Sequence, residues 1–209
     1  MLIAPGSSLG GARPKASVRE KDGHLAIAKF PRKDDEINTV VWEAVALSLA
    51  QKSGITVPES RVENIAGKPV LLLRRFDRDG KRRIPFLSAM SMLGSKDKET
   101  RSYLEIVDAL RQHGAAPQAD MEELWRRLVF NILISNTDDH LRNHGFLYEG
   151  QAGWRLSPAY DSTRCRPTSG RDPQHRDQRR RQHGLAGGGG GGVSRSGRRQ
   201  SARHSKTGR

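Results

Sequence analysis

The segment Asn136-Thr137-Asp138-Asp139-His140-Leu141-Arg142-Asn143 concentrates groups able to do chemistry. A carboxylate, Asp138, and an amide, Asn143, stand five residues apart, and a further acid, Asp161, follows downstream. That set suits phosphoryl transfer, in which one acid receives a hydroxyl proton while an amide oxygen and a second acid hold the Mg²⁺ that bridges phosphates. Asp, Asn and His also crowd together in ordinary polar turns, where their side chains bond the local backbone. Context separates the two readings. The segment directly follows an apolar helix candidate and precedes Gly145 to Tyr148 and Trp154 to Leu156, two short runs around Gly150-Gln151-Ala152-Gly153 that read as a hairpin.

Other elements must bring a nucleotide to these groups. Residues 5 to 16, including Gly10, Gly11 and Lys15, form a Gly-rich, basic segment ahead of a strand expected at Ser17 to Arg19. Such a loop brings backbone N–H groups close to phosphate oxygens because glycine has no Cβ in the way. It lacks the Gly-Lys-Ser/Thr and following helix of a Walker P-loop. His24 to Pro31 reads as a mostly buried strand with Lys29 near its end, and a lysine there needs an anionic partner. Thr39 to Ser53 reads as a helix whose apolar face is Val41, Val45 and Leu49, with Leu47 a further candidate and Gly54 placed to end it. It carries Glu43, positioned to pair with Lys29. Glu59 to Ile65 and Pro69 to Arg74 read as a hairpin around Ala66-Gly67-Lys68, after which Leu71 to Arg78 leads out of a small β-rich region. Tyr103, Ile106, Val107 and Leu110 keep helical spacing before Gly114. Asp120 with Glu123 reads as a capping box ahead of Leu124, Trp125, Leu128, Val129, Ile132 and Leu133, and both stripes are expected to be core.

Composition narrows the classes. Residues 1–163 carry 24 Lys+Arg against 21 Asp+Glu, whereas residues 164–209 carry 13 against 2, so the net charge of +14 comes mostly from the tail. One cysteine, Cys165, allows neither an intramolecular disulfide nor a cysteine-based metal site. With no signal-peptide pattern and no apolar run of spanning length, the expectation is a soluble, cytoplasmic protein that does not enter a membrane.

Taken together, the order of these motifs resembles the HipA family of bacterial serine/threonine kinases, the toxin halves of two-gene toxin–antitoxin systems. The matching text is Gly6 to Lys15, the Lys29 strand, Glu43, Leu73 to Asp77, Thr137 to Asn143, and Leu156 to Asp161. The resemblance covers about residues 3–163 and implies an α+β, protein-kinase-like bilobal fold. A β-rich N-lobe would span 1–78, the start of a helical C-lobe 79–163, and a basic, disordered tail 164–209. It further implies Lys29 on the phosphates of ATP beside Gly10, Gly11, Lys15 and Glu43, with Arg74, Arg75 and Phe76 at the adenine hinge. Asp138 would be the catalytic base with His140 in the same loop, and Asn143 and Asp161 the Mg²⁺ ligands. Ser8, with Ser7 next to it, matches the serine that the family autophosphorylates; a phosphate there would add nearly two negative charges and eject the loop from the nucleotide site. The implied partners are a protein substrate and a DNA-binding antitoxin of the HipB type, with DNA reached only through the antitoxin.

Two departures qualify these expectations. The family's N-terminal subdomain has no counterpart ahead of the Gly-rich loop. After Thr163 the chain turns to Arg, Gly, Gln and Ser, which bury too little apolar surface to offset ordering entropy. With GC-rich codons, residues 175–186 would read in another frame as more ordinary protein sequence, so a frameshift near residues 162–166 is expected, with a truncated kinase as its product. Its rivals are a non-catalytic remnant that binds nucleotide or antitoxin, and a nucleic-acid binder acting through the basic tail, a tail without the aromatic residues that single-strand binders stack on bases.

Overall fold

The computed structural model describes residues 13–35, 37–96, 99 and 101–162. Ser7, Ser8, Gly10, Gly11, Thr163 and the expected tail lie outside the described residues.

Four antiparallel strands, β1 (Lys15–Arg19), β2 (Leu25–Lys29), β3 (Ser60–Ile65) and β4 (Lys68–Arg74), form a sheet in the order β1-β2-β4-β3. Strand alternation decides which side chains meet the helix. Ile27 pairs with Leu73 and Lys29 with Leu71, so these four share the face covered by helix α1 (Thr39–Lys52). Val40, Leu47, Leu71 and Leu73 pack there, with Ile27 and Val57 against them. Fully burying leucines such as Leu47 and Leu71 stabilises by about 1.5–3 kcal/mol each. The opposite face holds Ala28, Val70 and Leu72.

Helix α1 starts where Asn38 Oδ1 accepts the Val41 N–H at 3.2 Å, and it ends before Gly54, whose φ of +75° suits glycine. Its buried face is not the expected one. Val40, Glu43, Ala46, Leu47 and Ala50 point inward, while Val41, Val45 and Leu49 are exposed. Valines on both sides of the helix made two stripes available, and the face that holds Glu43 is the one that packs.

Beyond the sheet lie a short hairpin, β5 (Arg78–Asp79) with β6 (Arg82–Arg83), then β7 (Phe86–Ser88), the one-turn helix α2 (Ala89–Met92), α3 (Tyr103–His113) and α4 (Pro117–Leu133). The anticipated hairpin, β8 (Gly145–Tyr148) and β9 (Trp154–Leu156), joins β7 in a three-stranded sheet ordered β7-β8-β9. Ala89, Ile106, Leu110, Leu124, Phe146 and Leu156 form its core against the helices.

Helix α4 departs from expectation in a way that matters for the site. Proline at its first helical position places the start at Pro117, so Asp120 and Glu123 lie inside the helix and are not its capping box. Both are buried, on a stripe with Leu124, Arg127, Phe130 and Asn131, whereas Trp125, Ile132 and Leu133 are exposed. The buried stripe of α4 is therefore largely polar. Each polar member has a structural partner: Asp120 accepts from Arg155 Nε at 3.0 Å and from the Leu156 N–H at 3.1 Å. Glu123 Oε1 accepts the Thr56 N–H at 2.9 Å and Arg127 Nη2 at 2.9 Å, and Arg127 Nη2 also donates to the Ser157 carbonyl at 2.7 Å. The Thr56 carbonyl in turn accepts the Ala159 N–H at 2.8 Å. Through these bonds α4 fixes residues 156–159, the segment that delivers Asp161. No helix among the described residues is long and apolar enough to cross a membrane.

Candidate active site

Lys29 is buried at the end of β2, with its Nζ 2.5 Å from Glu43 Oε1 of α1 and ion-paired with Asp161. A strand lysine, a helix glutamate and an acid from beyond the second hairpin thus converge across 132 residues of sequence. Burial disfavours the ammonium, but the Glu43 and Asp161 carboxylates outweigh it and hold Lys29 above its usual range. Two carboxylates share that one cation unequally. Burial pushes Glu43 up despite Lys29, while Asp161, its side chain 38 % exposed, is buried enough to be raised yet is held lower by Lys29, with Lys15 and His140 adding to the pull. Asp161 has a φ of +54°, a left-handed conformation uncommon for a residue other than glycine.

Lys15 stands directly opposite Lys29 in the β1–β2 ladder. Cross-strand partners share a face, and like charges so placed repel unless an anion lies between them. Both lysines therefore look onto Glu43 and Asp161 and onto the space where phosphate oxygens would relieve the repulsion.

Asp138 and His140 are exposed in the loop after α4. The Asp138 N–H donates to Asn136 Oδ1 at 3.3 Å, and Asn143 Nδ2 donates to the Asp138 carbonyl at 3.0 Å. Asn143 closes a single 3₁₀ turn, Leu141–Asn143, so the five-residue spacing seen in the sequence is a loop closed on itself. With its nitrogen directed at Asp138, the Asn143 amide has its oxygen left for a cation. Asn143 and Asp161 offer the hard oxygen donors that Mg²⁺ takes, and phosphate and water usually complete its shell. Among the described residues there is no cluster of three or more His, Cys, Asp or Glu that could hold a metal ion.

At the expected hinge, Arg74 Nη1 binds Glu59 at 3.0 Å and Arg75 makes a two-pronged contact with Asp77 at 2.8 and 2.6 Å. The side chains of both arginines are engaged in the protein, and their main-chain N–H groups donate to the Glu59 and Leu25 carbonyls at 2.9 Å. Phe76 packs with Phe86 and Tyr160, ring centroids 5.8–6.3 Å apart. Tyr160 also donates its hydroxyl to the Arg142 carbonyl at 2.7 Å, tying the residue before Asp161 to the loop that carries Asp138 and Asn143. Its ring packing explains Gly145: a Cβ there would lie 2.3 Å from Phe86 Cε2 and 2.9 Å from Ser157 Oγ.

Several residues of this site escaped the sequence reading. Asp139, Tyr103, Asn131 and His144 form a polar cluster behind the loop, and Arg127 with Glu123 buttresses the Asp161 segment. The signals were present as a second acid beside Asp138 and a helix stripe of Asp, Glu, Arg and Asn at intervals of three and four.

The sequence matches the HipA-like C-terminal domain over residues 7–201. The chain belongs to that family. The match extends past residue 163, to which the motifs alone carried the resemblance. Among curated relatives of this HipA-like chain, a putative kinase of Haemophilus influenzae is 25 % identical over 184 residues, covering 78 % of this chain and 54 % of the relative. The putative kinase Y4mE of Sinorhizobium fredii is 29 % identical, covering 74 % and 41 %, and the serine/threonine-protein kinase CtkA of Helicobacter pylori 25 %, covering 78 % and 53 %. The chain thus spans about half the length of these relatives. Its fold is that of two solved structures. HipA of Shewanella oneidensis, in complex with HipB and operator DNA, superposes with a TM-score of 0.64 at 20 % identity, covering 76 % of this chain and 44 % of HipA. The Helicobacter pylori CtkA kinase superposes with a TM-score of 0.63 at 24 % identity, covering 77 % and 57 %.

Proposed function

We propose that this HipA-like chain carries the site for ATP- and Mg²⁺-dependent phosphorylation of a protein serine or threonine. The observation that carries the reading is the convergence of Lys29, Glu43 and Asp161. Phosphate entry exchanges the Lys29–Asp161 contact for a Lys29–phosphate contact and frees Asp161, with the Asn143 oxygen, for the cation. Mg²⁺ bound there would neutralise charge on the β- and γ-phosphates. Glu43 keeps the Lys29 ammonium directed at the phosphates and Lys15 adds a second cation, with Gly10 and Gly11 the glycines that the family resemblance assigns to phosphate binding. The base lies against the main chain of Arg74 to Phe76. Asp138, exposed beside the site, accepts the substrate hydroxyl's proton as its oxygen attacks the γ-phosphorus and the bond to ADP breaks; His140 shapes the same loop. Residues 1–78 serve as the nucleotide-holding lobe and 79–163 as the catalytic one, with Ser8 a site of autophosphorylation.

The family also supports a toxin role with a HipB-type antitoxin as partner, DNA being reached through that partner, in the cytoplasm. ATP titration with and without Mg²⁺, on wild type, Lys29→Ala and Asp161→Asn, tests the site; equal affinities in all three would remove it. Radiolabelled transfer with Asp138→Asn as control tests the chemistry. Mg²⁺-dependent binding without transfer would leave nucleotide binding alone as the function of this chain.

A further inference from the structure

Asp139 is the acid that the phosphoryl-transfer scheme does not use. Its side chain is 5 % exposed, unlike that of Asp138 next to it, and its carboxylate gathers donors from three elements. Tyr103 of α3 donates its hydroxyl, Asn131 of α4 its amide at 2.9 Å, and His144, at the entry to β8, its Nε2 at 3.1–3.2 Å. The Tyr103 and His144 rings also meet edge to face at 5.5 Å.

The Asn131 amide uses both ends. Its Nδ2 binds Asp139 while its Oδ1 accepts Asn136 Nδ2 at 3.2 Å, and Asn136 Oδ1 takes the Asp138 N–H. A ring of polar contacts therefore runs from the Asp138 main chain through Asn136 and Asn131 to Asp139 and back along the peptide. Since the Asp138 carbonyl is bound by Asn143, both main-chain polar groups of Asp138 are fixed. The second arm of the Asp139 carboxylate holds His144, the neighbour of Asn143.

We propose that Asp139 is the positioning residue of the catalytic loop, its buried carboxylate holding Asp138 and Asn143 in register by anchoring the residue adjacent to each. The proposal rests on the phosphoryl-transfer reading of the site. Burial would raise a carboxyl here, but His144 and the bonds from Tyr103 and Asn131 outweigh it and keep Asp139 ionised. The identity of the residue matters, because three donors converge and an Asn side chain would turn an amide N–H toward one of them.

The test uses Asp139→Asn and Tyr103→Phe, measuring ATP affinity with Mg²⁺, ADP affinity without it, and amide exchange at Asp138 and Asn143. Supporting partners around metal ligands typically contribute 10–100-fold, so Asp139→Asn is expected to weaken Mg²⁺-dependent ATP binding by about 10-fold. Mg²⁺-free ADP affinity should change by less than about 2-fold, since Lys29 and the hinge lie on the other sheet, and loop exchange should quicken. Tyr103→Phe, which removes one donor and keeps the ring, should show a smaller loss of the same selectivity. A purely structural role predicts that both affinities fall together. Unchanged Mg²⁺-dependent binding in Asp139→Asn, or in Tyr103→Phe should the first variant not fold, overturns the proposal alone. A wild type whose ATP affinity ignores both Mg²⁺ and Lys29→Ala overturns the site itself.

Discussion

Replacing Arg127 by Met should be among the most damaging single changes outside the proposed catalytic groups. The Arg127 and Glu123 side chains are 5 % and 10 % exposed, so removing the cation leaves a carboxylate in the interior with the Thr56 N–H and the outward-lying Arg126 as partners. Breaking such a pair from one side costs about 3–5 kcal/mol. The Ser157 carbonyl, bound at 2.7 Å, loses its donor as well. An orphaned buried carbonyl alone costs about 1–3 kcal/mol. The double variant Glu123→Gln/Arg127→Met separates the two contributions. Gln still accepts the Thr56 N–H but brings no charge, so the double variant should recover to about 1–3 kcal/mol below wild type. Urea unfolding at neutral pH, extrapolated to water, reads both values. A loss under about 1 kcal/mol for Arg127→Met, or a double variant no better than the single, would refute the view that an ion pair holds the 156–159 segment.

Two further outcomes follow from the geometry. Gly145→Ala pushes a methyl into the Phe86 ring and the Ser157 hydroxyl, and thermal unfolding should show a loss of about 1–3 kcal/mol, the usual range for overpacking. The Lys29 cluster should give stability an uneven response to acid. Asp161, held below its ordinary 3.8, contributes stability that is present above that value and lost as pH falls further. Glu43, raised above 4.5, acts oppositely, its protonation adding stability as pH falls from its raised value to 4.5. Urea midpoints from neutral pH to below 3.8 should therefore show a smaller acid decline in Asp161→Asn and lose the opposing shoulder in Glu43→Gln; an unaltered profile in either variant contradicts the assignment.

The groups proposed for chemistry were legible because each sat where its type was unusual. Lys29 interrupts an apolar strand, and alternation with Ile27 sent it toward the helix bearing Glu43. Asp138, Asn143 and Asp161 stood out through their spacing taken with the helix before them and the hairpin between, and the β8–β9 hairpin fell where its glycines put it. What stayed hidden was polarity in the interior. On α1 and α4 an apolar stripe competed with one containing Glu43, or Asp120, Glu123, Arg127 and Asn131, and the mixed stripe won in both. The partners that satisfy those residues, namely the Thr56 peptide, the Ser157 carbonyl and the Arg155–Leu156 strand, come from distant segments, so nothing local announces their burial.

The Thr56 peptide gives that arrangement a mechanical meaning. Its N–H is committed to Glu123 and its carbonyl to Ala159, so the two peptide groups that flank Thr56, between α1 and β3, are tied one to α4 and the other to the segment that leads to Asp161. Sliding of the linker against α4 would break the first bond and withdrawal of residues 156–159 the second. Thr56 is thus the residue through which the sheet bearing Lys29, helix α4 and the segment leading to Asp161 are kept in register.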